Sequence, residues 1–230
     1  MAREPMLRIF SAGAVAPPLQ KAVSLFEKST GIRCEVRVGK PESLLTEIER
    51  DRAGDIISVG AEYVLDDAQD RGTVVAESRI SLGLRRSAII VPKGNPKRIG
   101  SLNDLCKEAV RIGIATEGCL KGVWDDVASK AMLTDCIRRN ITEHADSCGA
   151  VMALINTRKV DAIIGWSAFE KIWPDSSEAV EIPEDLQVLR STAAARIAYS
   201  KNLELADRLL AFLLSEDSAR IYGEYGWIRP

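Results

Sequence analysis

This chain has one histidine, His144, and no Cys-x-x-Cys pair among its five cysteines. The five thiols, at Cys34, Cys106, Cys119, Cys136 and Cys148, are too widely spaced for a zinc ribbon or a thioredoxin-type dithiol. A Ser–His–acid hydrolase would have to use His144, yet the sequence contains no Gly-x-Ser-x-Gly turn to present the serine. Glu143 and Asp146, beside that histidine, read as loop residues ahead of a helix, where acidic groups favour the dipole. The stretch from Gly94 to Gly100 lacks the Gly-Lys-Ser/Thr ending of a phosphate-binding loop. No catalytic group, metal site or cofactor is therefore expected. Charge is equally uninformative about large partners. The balance of 31 basic against 33 acidic residues gives no electrostatic case for nucleic acid or an anionic membrane. No apolar run approaches transmembrane length, and the N-terminus lacks the basic–apolar–small pattern of a secretory leader. Met1-Ala-Arg-Glu-Pro5 reads either as a start replacing a removed leader or as the start of a cytoplasmic protein.

What is present is an alternation of short apolar runs and amphipathic ones. At 230 residues, 46% hydrophobic and 28% charged, the chain has ordinary globular composition and enough length for one α/β domain or two lobes. It opens with a strand at Leu7–Phe10, a loop of small residues from Ser11 to Ala16, and a helix. Pro17 and Pro18 suit a first helical turn, and Leu19, Ala22, Val23 and Phe26 fall at i, i+3, i+4 and i+7. Gly31 stops that helix. A strand around Cys34–Val38, a helix carrying Leu44, Leu45 and Ile48, and a strand at Asp55–Val59 follow. Another helix lies near Tyr63–Gln69. Leu84–Val91 is a long apolar strand closed by the turn Pro92-Lys-Gly-Asn-Pro96. The pattern then restarts, with strands at Arg111–Ala115 and Val160–Trp166. Helices follow the loop Thr116–Gly122 and span about Ser147–Thr157. A strand-like segment at Ala194–Tyr199 leads into closing helices from Leu203 to Tyr222, which should cover the first sheet. No repeat of fixed period is evident. Parallel sheets with crossover helices are expected, in an α/β chain whose second lobe is inserted into its first.

Five segments carry a resemblance. They are Phe10-Ser-Ala-Gly-Ala14 with its helix, Ala53-Gly-Asp-Ile-Ile-Ser-Val-Gly60, Val91–Pro96, Lys159-Val-Asp-Ala-Ile-Ile-Gly-Trp166 and Ala219–Trp227. In this order the chain resembles the type II periplasmic binding proteins, and among them the molybdate- and tungstate-binding proteins of ABC importers. The resemblance implies two α/β lobes joined by two crossing strands, near Ser81–Arg85 and Ala194–Tyr199, with a ligand cleft between. Lobe I would comprise residues 1–82 and 196–230, and lobe II residues 83–195. It further implies an extracytoplasmic, monomeric protein without enzymatic activity, its leader absent from this chain. Such a protein would deliver a tetrahedral oxyanion to a membrane permease.

The resemblance also implies a site. The first loop would contribute Ser11, Ala12, Gly13 and Ala14, with Ala14 standing where the family has a serine. The second loop would contribute Lys40, Pro41 and Ser43. Backbone amides would come from Lys121–Gly122 and from Cys148–Gly149, and Trp166 would replace a tyrosine donor. Lys40 and Lys121 each bring a full positive charge, which would suit a carboxylate or phosphate ester better than molybdate. Cys119 and Cys148 map to neighbouring loops, where a disulfide is one expectation and free buried thiols the other. A soft-metal site with His144 is the least favoured. Beside the importer reading stands a cytoplasmic ligand-sensing effector domain, against which the lack of a helix-turn-helix counts.

Overall fold

The structure, a computed structural model, describes residues 6–229, so the reading of Met1–Pro5 lies outside the described residues. In chain order the elements begin with β1 (Met6–Ala12), α1 (Ala16–Thr30), β2 (Arg33–Gly39), α2 (Pro41–Asp51), β3 (Ile56–Val59), α3 (Glu62–Asp70) and β4 (Ile80–Pro92). Next come β5 (Ile112–Ala115), α4 (Val123–Lys130), α5 (Thr134–Arg139), β6 (Ile141–Ala145), α6 (Cys148–Asn156) and β7 (Ala162–Trp166). The last are α7 (Phe169–Ile172), β8 (Ser177–Glu181), β9 (Leu189–Arg196), α8 (Leu203–Leu213) and α9 (Glu216–Glu224). No described helix is long and apolar enough to cross a membrane.

The chain divides into two compact units, residues 1–84 with 191–230, and residues 85–190. It leaves the first within β4 and returns within β9.

In the first unit β1 pairs in parallel with β2 on one side and β3 on the other, and β9 runs antiparallel beside β3. Leu7 and Ile9 of β1 and all of β3 are buried, as fully covered parallel strands must be. Helix α1 buries the stripe Leu19, Ala22, Val23 and Phe26 and ends at Gly31, whose φ of 73° places it in the left-handed region. The closing helices α8 and α9 pack on α1 in this unit. Phe26 meets Phe212 at 5.4 Å between ring centroids, and Lys21 pairs with Glu224.

The second unit repeats the plan. Strand β5 lies parallel between β6 and β7, and β4 runs antiparallel beside β7, with β8 on its other edge. Each unit also carries the same latch. In the first, the Arg8 N–H donates to a carboxylate oxygen of buried Asp55 at 2.8 Å, and the Asp55 N–H donates to the Arg8 carbonyl at 2.8 Å. In the second, the Arg111 N–H donates to Asp161 at 2.9 Å and the Asp161 N–H donates to the Arg111 carbonyl at 2.8 Å. The Arg111 guanidinium adds two further bonds to Asp161, at 3.1 and 3.0 Å.

Two sequence expectations are corrected here. Glu143 and His144 belong to strand β6 rather than to a loop; its in–out alternation leaves His144 exposed. The disulfide of this unit joins Cys106 to Cys136, with Cα atoms 5.0 Å apart, while Cys34, Cys119 and Cys148 are free.

Candidate functional site

Both units set their loops at the carboxyl ends of parallel strands, where open α/β sheets bind ligands. In the first unit, Ser11 and Ala12 end β1, and Gly13 and Ala14 begin a tight turn into α1. Ser11 is fully buried and its hydroxyl donates to the Ala12 carbonyl at 3.2 Å. In this arrangement the hydroxyl is turned onto its own backbone. Ala12 and Ala14 are buried and Gly13 is exposed. Lys40 precedes α2 and Pro41 opens it. Ser43 is thus an exposed residue of the first helical turn rather than of a loop. Proline at the first position favours that early start, since its missing N–H would have no partner there.

Sequence reading missed Ser58. It sits on β3 in register with Ser11, and its buried hydroxyl has no hydrogen-bond partner among the described residues. The available signal was a lone hydroxyl inside an apolar strand, immediately before a strand-to-helix loop.

The second unit draws its loops into a tighter cluster. Cys119 lies in the turn after β5, Cys148 is the first residue of α6, and Trp166 is the last of β7. The two sulfurs stand 2.8 Å apart, and the indole N–H of Trp166 donates to the Cys119 sulfur at 3.2 Å. Of the two expectations for this pair, a disulfide or free buried thiols, the structure has the free thiols, in contact with each other. The Trp166 indole N–H is thus directed at a thiol. Arg85, on β4, completes the group: its guanidinium lies over the Trp166 ring, 4.7 Å from the centroid. Arg85 is 1% exposed and Trp166 fully buried.

The electrostatics follow from that packing. The hydrogen bond between the two sulfurs lowers the Cys119 pKa most. Burial opposes this, and the Arg85 charge with the Trp166 N–H adds to the lowering. Cys148 moves the other way, held protonated by its bond to Cys119 and by burial. The result is two thiols shifted in opposite directions beside a buried guanidinium. Arg85 was not singled out from sequence. Its signal was an arginine at the head of the apolar run Leu84–Val91, where a charge is costly without a partner.

The remaining expected residues lie at the edge of this cluster. Lys121 is exposed and 3.9 Å from Glu117, one helical turn away in sequence. Gly122 caps α4, and Gly149 is exposed in the first turn of α6. Among the described residues no group of three or more His, Cys, Asp or Glu side chains is placed to hold a metal.

Comparison with known proteins agrees with this architecture. PEB3 with L-phospholactate bound matches with a TM-score of 0.87 and 24% identity, covering 97% of this chain and all of that one; a PEB3 structure is from Campylobacter jejuni. The periplasmic molybdate-binding protein of Azotobacter vinelandii matches with a TM-score of 0.82 at 14% identity, over 97% and 99% of the two chains. By sequence, an aconitate isomerase from a Pseudomonas species is 24% identical over 239 residues, spanning 96% of this chain and 86% of that protein. The fold is that of the type II periplasmic binding proteins. The model of the bacterial extracellular solute-binding proteins matches residues 7–228, and the chain belongs to that family.

Proposed function

We propose that this protein is an extracytoplasmic, monomeric binding subunit that captures a small anion and presents it to an ABC permease, with no catalytic step. The anion we infer carries carboxylate or phosphate groups. The observation that carries this reading is the buried guanidinium of Arg85 at the strand-end loops of the second unit. A site for a metal oxyanion built from neutral donors needs hydroxyls and amides, and the family resemblance sets Ala14 and Trp166 of this chain where those hydroxyls would stand. A full charge in low dielectric suits a ligand whose own charge is localised on oxygen atoms. Two relatives support the ligand class by name, one crystallised with L-phospholactate and one an aconitate isomerase.

The test is calorimetric titration of protein unfolded and refolded to strip carried-over ligand. The probes are phospholactate, citrate, cis- and trans-aconitate, phosphate, sulfate, molybdate and tungstate. One-to-one binding of an organic acid or phosphate ester, with both metal oxyanions silent, is the expected result. Tight molybdate or tungstate binding would overturn the ligand class and restore the neutral-donor site. Interconversion of the aconitate isomers by the protein would overturn the non-catalytic reading.

A further inference from the structure

Cys119 and Cys148 follow different strands, yet their sulfurs are 2.8 Å apart, with the Trp166 N–H on Cys119 and the Arg85 guanidinium over the Trp166 ring. Closing the remaining gap to a sulfur–sulfur bond takes under about 1 Å of movement. We propose that this pair is a peroxide-reactive dithiol, in which Cys119 is the attacking sulfur and Cys148 the resolving one. The roles follow from the contacts. Cys119 receives the Trp166 N–H and the Arg85 charge favours its anion, whereas Cys148 is pushed toward its protonated form by burial and by the contact with Cys119. The thiolate is the nucleophile in such chemistry.

The reaction balances as follows. The Cys119 thiolate attacks hydrogen peroxide, forming an S–O bond as the O–O bond breaks, and hydroxide leaves. Sulfur is oxidised by two electrons and peroxide reduced by the same two. The Cys148 thiol then attacks the Cys119 sulfenic acid, a disulfide forms, and the displaced oxygen departs as water with the Cys148 proton. The step removes one negative charge from beside Arg85. Cys119 and Cys148 are 8% and 7% exposed, which leaves a small peroxide a way to the pair.

Cys34 is the internal control. It is half-buried in the first unit, and burial, with Glu27 and Asp55 nearby, raises its pKa to about 12. The experiment treats mildly reduced, desalted protein with one equivalent of hydrogen peroxide, then maps linked and sulfenylated peptides by mass spectrometry while following Trp fluorescence. Cys119–Cys148 linkage is expected at least about tenfold faster than Cys34 oxidation, since thiolate fraction sets the rate. Cys148→Ser should stop at a Cys119 sulfenic acid that dimedone captures, and Cys119→Ser should leave Cys148 reduced. The comparison with Cys34 needs no variant and so stands even if a substitution impairs folding. Oxidation of Cys119 no faster than Cys34, or linkage without any trappable sulfenic acid in Cys148→Ser, would overturn the proposal.

Discussion

The indole N–H of Trp166 donates to the sulfur of Cys119 at 3.2 Å, so the largest fully buried side chain of the protein is spent on a thiol. Removing that donor while keeping an apolar ring isolates its effect. Trp166→Phe should raise the Cys119 pKa, because the thiolate loses one hydrogen bond while Cys148 and Arg85 remain. Following thiolate ultraviolet absorbance against pH measures the shift. An unchanged or lowered titration would show that the sulfur draws nothing from the indole.

Arg85 separates a charged site from a neutral one. Arg85→Met keeps much of the volume and the contact with Trp166 but removes the charge, and buried cations often tolerate such replacement. A charge-assisted hydrogen bond contributes about 1.5–3 kcal/mol, so anion affinity should fall by roughly 10- to 100-fold. The melting curve checks that the variant is folded. Equal affinity in the folded variant would remove Arg85 from the site.

Asp161 ties stability to pH. Burial alone would raise its pKa, but the side-chain and backbone bonds from Arg111 outweigh burial and the net direction is down. The folded value thus lies below the unfolded one, near 3.9. Its stabilisation is complete above the unfolded pKa and is lost as pH falls through the folded pKa. Asp161→Asn should cost about 1–3 kcal/mol at neutral pH, and the gap from the parent should narrow below about pH 4. Urea midpoints at a series of pH values test this; a gap that stays constant into acid would contradict it.

The Cys106–Cys136 disulfide closes a segment of 30 residues and joins the turn before β5 to helix α5. In the chain-entropy account a loop of that size is worth about 3–4 kcal/mol. The double variant Cys106→Ser, Cys136→Ser should lose roughly that much, as should the parent under strong reductant. Denaturant unfolding of the two should then coincide. A variant as stable as the oxidised parent would mean that the cross-link adds only covalent decoration.

The layers of the fold were legible because burial writes itself into sequence. Leu19, Ala22, Val23 and Phe26 mark one helix face, and Asp55–Val59 and Val160–Trp166 mark covered strands. The shorter elements escaped. Strand β6 and helix α5 have half-exposed, mixed sequences with little periodicity to read. The disulfide partners were beyond reach for a different reason: pairing depends on where turns come together in space, and five cysteines leave many choices. The nearness of Cys119 and Cys148 was foreseen, but the Trp166 N–H on the Cys119 sulfur and the Arg85 guanidinium beside it were not. Arg85 and Ser58 were missed because a single polar residue within an apolar run looks like noise until its neighbours are known. The restart of the pattern announced a second α/β layer, but the matching order of its strands was not legible. The sequence trace of that order shrinks to two aspartates ahead of two apolar strands.

Those aspartates, Asp55 and Asp161, have a consequence at the opposite end of each sheet. A hairpin turn dictates how two antiparallel strands align, but parallel neighbours joined through a helix have no such gauge. Here a carboxylate grips the backbone N–H at the start of the central strand and supplies one. A slip by one residue would displace the far end of that strand by about 3.3 Å and turn its side chains inside out. Whatever these loops hold is therefore aligned by carboxylates that never approach it.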